Sequence, residues 1–329
     1  MRNMAFFKNI KSRIDGKSGI LPAGQKIAVV ATAALTLVTL ILRVVLTPQM
    51  QDAQTGHFRL SFVVMAVMIA TLVGVAVLLF LSRSGGVRLR GRLLGPTALF
   101  AVLTGSILLI VNAVDAFNWL VHGETPPPNQ YVISGIDALT LFFTIVFGLL
   151  GGAFFVRLGL LWLSESVSRS GVMRLWALAP AGWVWMRLAR YEVSYASAVE
   201  VSESFYDFVM LIFSLLFLFA FARYVSGIGA GKHRMMLFFA LGTALFSLTG
   251  PLTSVFFYMT GKFDAYNLSH LAGATDWFIG AFALLFAFGL VFSADRPEDA
   301  PPPAHSDKTP DAPAATVDDI LQEIYSRDE

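Results

Sequence analysis

Residues 235–259 read MMLFFALGTALFSLTGPLTSVFFYM, and no charged side chain interrupts them. Wound as an α-helix the run is about 37 Å long at 1.5 Å per residue. That crosses the ~30 Å hydrocarbon core of a bilayer with margin for tilt. Apolar and polar residues do not alternate at period 2, so a membrane β-strand is excluded and a helix is the remaining way to satisfy the backbone in lipid. Working outward, six more stretches pass the same test: 27–46, 60–82, 94–114, 133–156, 205–222 and 273–293. The fold class that follows is all-α, a polytopic transmembrane helix bundle with seven strong spans.

Composition agrees. The chain has 329 residues, 56% of them hydrophobic and 14% charged, with a mean hydropathy of +0.68. Soluble domains carry about a quarter charged residues, so a soluble globular protein is excluded. Disorder is excluded for the bulk of the chain by the amount of apolar surface available for burial. A net charge of +2 leaves no basic excess for nucleic acid. The absence of cysteine removes disulfide scaffolds, thiolate metal sites and thiol catalysis.

Residues 1–26 form a basic leader, with Arg2, Lys8, Lys11, Arg13, Lys17 and Lys26 set against Asp15. Phe7, Ile10 and Ile14 share one helical face opposite Lys8 and Lys11. This is the pattern of a short amphipathic helix on an anionic leaflet, or of a solvated leader that only sets orientation. Both readings place the N-terminus in the cytoplasm by the positive-inside rule. Arg83, Arg88, Arg90 and Arg92 return to that side two crossings later. Thr47-Pro48-Gln49-Met50 offers no small-x-small cleavage site, so the first span is expected to stay attached.

Transmembrane helices 1–4 are assigned to residues 27–163 and helices 5–7 to 205–293. Between them, residues 164–204 are harder to place. The run LWALAPAGWVWM (175–186) is apolar but reaches only about 18 Å as a helix, and its three tryptophans suit the headgroup region. It is expected to be an interfacial or re-entrant helix, or else a weakly spanning one. The balance of Lys and Arg between the two sides comes out the same with seven or eight crossings, so charge does not decide.

Residues 294–329 make a proline-rich acidic tail, expected to be disordered as far as a short terminal helix. There Val317, Ile320, Leu321 and Ile324 recur at i, i+3, i+4 and i+7, with Thr316 able to cap. So short a helix is marginal alone. Its stripe calls for a groove on a protein partner.

Candidate site residues are few. Gly250-Pro251 interrupts the sixth span, and Thr249, Thr253 and Ser254 lie near enough to satisfy carbonyls that Pro251 would free. Discontinuous helices of this kind hold ions and substrates in carriers. Arg43, Asp115, Asp137 and Asp276 sit near span ends, where ionisable groups ask for partners. They form either an acidic, outward-facing pocket for a cation or protonated amine, or plain pairs of Arg43 with Asp115 or Asp137. They share one end of the bundle only if the chain crosses eight times. A second acidic strip, Glu200, Glu203 and Asp207, is expected to be neutralised by Arg187 and Arg190. Small-residue strips (Thr140, Thr144, Gly148 and Gly152; Ala66, Ala70 and Gly74; Gly280, Ala283 and Ala287) read as packing seams, open also to oligomer contacts.

No nucleotide-loop, zincin or nucleophile-elbow motif is present, and no histidines are paired at i+4. His270-Leu-Ala-Gly273 with Gly280 is similar to the histidine helix of rhomboid proteases. Ser134, however, sits in Val-Ile-Ser-Gly, without that family's nucleophile motif and too far ahead of His270, so the chain is not assigned to that family. A microbial rhodopsin is excluded because the last span has no lysine for a Schiff base. No catalytic residue, metal site or cofactor is expected. The sequence therefore predicts a multi-pass protein of a bacterial-type plasma membrane, acting as an interaction or regulatory protein through its tail helix. The alternative is a small-solute or cation transporter.

Overall fold

A computed structural model describes residues 24–50, 61–82, 94–122, 134–164, 175–195, 201–227, 233–262 and 273–292. The leader, the tail and the remaining connections lie outside the described residues. Eight helices follow one another: α1 (Gly24–Met50), α2 (Ser61–Leu81), α3 (Leu94–His122), α4 (Ser134–Leu163), α5 (Ala179–Tyr195), α6 (Val201–Val225), α7 (His233–Met259) and α8 (Ala274–Phe292). All but α5 are long and apolar enough to cross a membrane. This is the helical, multi-pass membrane bundle that the apolar runs predict. Two boundaries shift. Helix α3 continues to His122, so Asp115 lies within the helix and does not close it. Helix α4 continues through Arg157 to Leu163.

The contacts give the direction of every helix. Lys26 at the start of α1 lies 5.8 Å from the ring of Phe292 at the end of α8, so the described chain enters and leaves at one end of the bundle, here called the terminal end. There Arg234, at the start of α7, donates to the carbonyls of Phe80 and Ser82 at the end of α2. Thr97 and Thr104 of α3 donate to Leu285 and Phe278 of α8, so α3 and α8 run antiparallel. Helix α5 begins beside the end of α4, where Arg157 lies 5.7 Å from the ring of Trp176. It then runs antiparallel to α4, with Pro180 against Gly151 and Gly182 against Phe147. Its second half reaches the start of α8 through Arg187 and Asp276. Helix α5 thus travels the bundle from the terminal end to the far end.

Seven apolar helices would leave the first and last ends on opposite sides. The traverse of α5 makes the count even and puts Lys26 beside Phe292. The segment does this although its apolar run is short, because the helix does not stop with that run. It continues through Arg187 and Arg190 to Tyr195, 17 residues or about 25 Å. Arg187 is accommodated by a buried partner inside the bundle, Asp276.

Lipid supplies no hydrophobic drive between helices, so the bundle depends on close packing. Phe154 and Phe155 of α4, Phe217 and Phe221 of α6, and Phe282 and Phe286 of α8 are fully buried. Ring centroids of 5.1 Å for Phe155–Phe282 and for Phe221–Phe286 lock three helices together edge to face. The strip on α4 is a true seam: Gly148 backs onto Asn112, and Gly152 onto Gly105 and Leu109 of α3. The strip on α8 is another, with Gly280 against Ser247 of α7. The strip on α2 is not. Ala66, Ala70 and Gly74 are exposed, and a side chain at Gly74 would meet nothing within 4 Å. Among the spans, α1 and α2 are the least covered by protein and α7 the most.

Candidate functional site: a charged layer at the far end

Charged side chains from five helices meet at the end away from the termini. The best-defined pair is Arg187 of α5 with Asp276 of α8. The two guanidinium nitrogens donate to the two carboxylate oxygens, Nη1 to Oδ1 at 2.6 Å and Nη2 to Oδ2 at 2.9 Å. Both side chains are largely buried, at 14% and 3% exposure. A planar fork on a planar carboxylate is the strongest geometry such a pair has.

Each partner is held by its own helix. Gly273 precedes α8, and its N–H donates to Asp276 Oδ2 at 3.0 Å while its carbonyl accepts from the Asp276 N–H at 3.1 Å. The bond from the Gly273 N–H to the carboxylate is one half of a capping box, the other bond being a backbone turn, and it sets a carboxylate in the first turn, where the helix dipole favours it. Arg187 lies one turn after Trp183 on α5, and its guanidinium sits 4.6 Å from that buried ring.

Two more carboxylates surround this pair. Asp207 of α6 is 4% exposed, and its charge and that of Asp115 of α3 both attract Arg187. Asp115 is exposed and feels Arg190 as well as Arg187. Arg43 enters from α1, 4% exposed, with its guanidinium 4.6 Å from the ring of Tyr206. It also borders Gly250 of α7, where an added side-chain carbon would lie 3.8 Å from Nη1. No cluster of three or more His, Asp or Glu that could hold a metal ion occurs among the described residues.

Of the residues singled out from sequence, Arg43, Gly250, Asp115 and Asp276 are thus brought to one end. The side chain of Asp137 lies outside the described residues, as do His270 and the docking stripe Val317, Ile320, Leu321 and Ile324. The acidic pocket is altered in a specific way: Asp276 is engaged by a cation that the sequence pattern had assigned to Glu200, Glu203 and Asp207. Pro251 does not break α7, which runs as one helix from His233 to Met259. Thr249, Thr253 and Ser254 donate to the carbonyls of Leu245, Thr249 and Gly250 at 2.5, 2.7 and 3.4 Å. They steady the helix around the proline, and none of the three bonds goes to the Ser247 carbonyl that Pro251 itself displaces.

Two features go beyond the sequence expectations. Arg187 is the residue that organises the layer, whereas its spacing points only to neutralising the strip Glu200, Glu203 and Asp207. The other is a polar face on α1. Thr32, Thr36, Thr39, Arg43 and Thr47 are all buried, and the threonines bond back to carbonyls one turn earlier, as Thr32 does to Ala28 at 2.7 Å. Their spacing along one face of the first span was the available signal.

The layer does three things chemically. It balances buried charge, it fixes the far ends of α5 and α8 to each other, and it presents Asp115 towards the surface. No protein-family model matches the chain, and no curated protein and no solved structure is detectably similar to it.

Proposed function

We propose that this chain is a membrane-embedded interaction or regulatory protein that recruits a cytoplasmic protein partner through its C-terminal segment. The observation that carries this reading is the meeting of Lys26 with Phe292. The basic leader and the acidic tail are joined to the same end of the bundle. The charged side chains described at that end, Lys26, Arg157, Arg223 and Arg234, are all cations, whereas the far end mixes both signs. By the positive-inside rule the terminal end faces the cytoplasm, in a bacterial-type plasma membrane. A tail on that side can reach soluble partners, and the spacing of Val317, Ile320, Leu321 and Ile324 suits a groove that accepts an amphipathic helix.

The transporter reading draws on the gathering of Arg43, Asp115, Asp276 and Gly250 at the outer end. It is weakened by the engagement of Asp276 with Arg187 and by the continuity of α7. The test is the sidedness of Glu329, read with a C-terminal reporter active on one side only, together with partner capture by the chain with and without residues 316–329. A cytoplasmic tail whose captured partner is lost on deletion supports docking. An external tail, or capture indifferent to the deletion, refutes it.

A further inference from the structure

Helix α5 is the one described helix that is not long and apolar enough to count as a span, yet it travels from end to end. Its sides are packed on α4 and α6, through Pro180 against Gly151, Gly182 against Phe147, and Tyr191 beside Phe208 at 5.8 Å between ring centroids. Those neighbours supply shape. Among the described side chains, Asp207 of α6 and Asp115 of α3 place charge near Arg187, while the direct bonds to its guanidinium come from Asp276, 89 residues later. An arginine within a helix that crosses lipid resists insertion unless it is paired.

We propose that the crossing of α5 is conditional on α8: Asp276 is the topological determinant that retains α5 across the membrane by neutralising Arg187. When α5 is made, its apolar residues favour the interface as much as the interior. Arrival of α8 supplies the carboxylate, pre-set by Gly273, and the completed pair makes the eight-crossing form the stable one. Without that carboxylate, Arg187 returns to the headgroup region and α5 lies flat. The helices after it then cross in the opposite sense.

The chain has no cysteine, so single cysteines report topology without interference. Ser226→Cys lies in the turn after α6 at the terminal end, and Thr260→Cys in the turn after α7 at the far end. Each is labelled with a membrane-impermeant maleimide in right-side-out and inverted vesicles. In the wild-type background each site is expected to react from one side, and the two from opposite sides. Asp276→Leu is expected to abolish that single-sidedness, with both sites labelled from the reverse face in a second population. The double change Arg187→Leu with Asp276→Leu removes the charge that needed a partner, and it is expected to restore single-sided labelling.

A merely structural role for Asp276, as the cap of α8, predicts that the double variant is as disturbed as the single one; that result overturns the proposal. Unchanged single-sided labelling in Asp276→Leu also overturns it. If Asp276→Leu is degraded before labelling, recovery of protein amount and sidedness in the double variant supports the proposal, and degradation of both refutes it.

Discussion

Replacing Gly105 with alanine adds one methyl group, and the structure says that this is too much. The new carbon would lie 2.6 Å from the carbonyl oxygen of Gly152, 2.7 Å from the backbone nitrogen of Val156 and 2.9 Å from Cβ of Phe155. None of these atoms is the end of a flexible side chain, so no rotamer change relieves the clash. Helices α3 and α4 must part until the contact approaches the ordinary ~3.5 Å, a displacement of roughly 0.9 Å. Atom pairs along the seam then lose about a quarter to a half of their dispersion energy. The overpacking cost is about 1–3 kcal/mol, and in lipid no hydrophobic term between helices offsets it.

Gly74→Ala is the matched control. A carbon there meets nothing within 4 Å, and alanine is favoured over glycine in a helix by about 1 kcal/mol. Denaturation of the purified protein, by titration of an anionic denaturing detergent into mild micelles, reads both. Gly105→Ala should shift the midpoint down and Gly74→Ala leave it unchanged or raise it. Equal behaviour of the two variants would refute the assignment of the α3–α4 seam.

Other expectations follow from the same contacts. Arg187→Ala leaves the buried Asp276 carboxylate without its cation and should cost about 3 kcal/mol or more in the same titration. Phe282→Ala empties the junction of α4, α6 and α8 and should cost about 3–5 kcal/mol, with no change in the sidedness of Ser226→Cys. Arg234→Ala removes the donor to the last carbonyls of α2 and should cost about 1 kcal/mol. Its effect should appear first as faster amide exchange around Phe80 and Leu81, and exchange there equal to wild type would count against the cap.

Gly74 and Gly152 show where the limit of sequence reading lies. Both sit in strips of small residues at four-residue spacing, and on paper the strips are equivalent. One meets a neighbouring backbone and the other meets none, because what a helix face touches depends on a second helix that the local pattern does not name. Asp276 teaches the same lesson with charge. Its place at the start of a span was legible, whereas its partner was not, since several arginines were equally placed to serve.

What the sequence by itself determined is the class of fold and the position of seven crossings. Insertion of an apolar run is a local free energy, summed residue by residue over about 20 positions, so the text of each run is sufficient. The terminal cations were legible for the same reason. Only the tertiary structure decided the eighth traverse, the shared end of Lys26 and Phe292, and the charged layer around Arg187. Helix α5 is too short to register as a span by length and composition. Its path from end to end of the bundle is packed against Gly151 and Phe147 and bonded to Asp276, contacts made by other parts of the chain, and such pairwise terms come into being only when the helices meet.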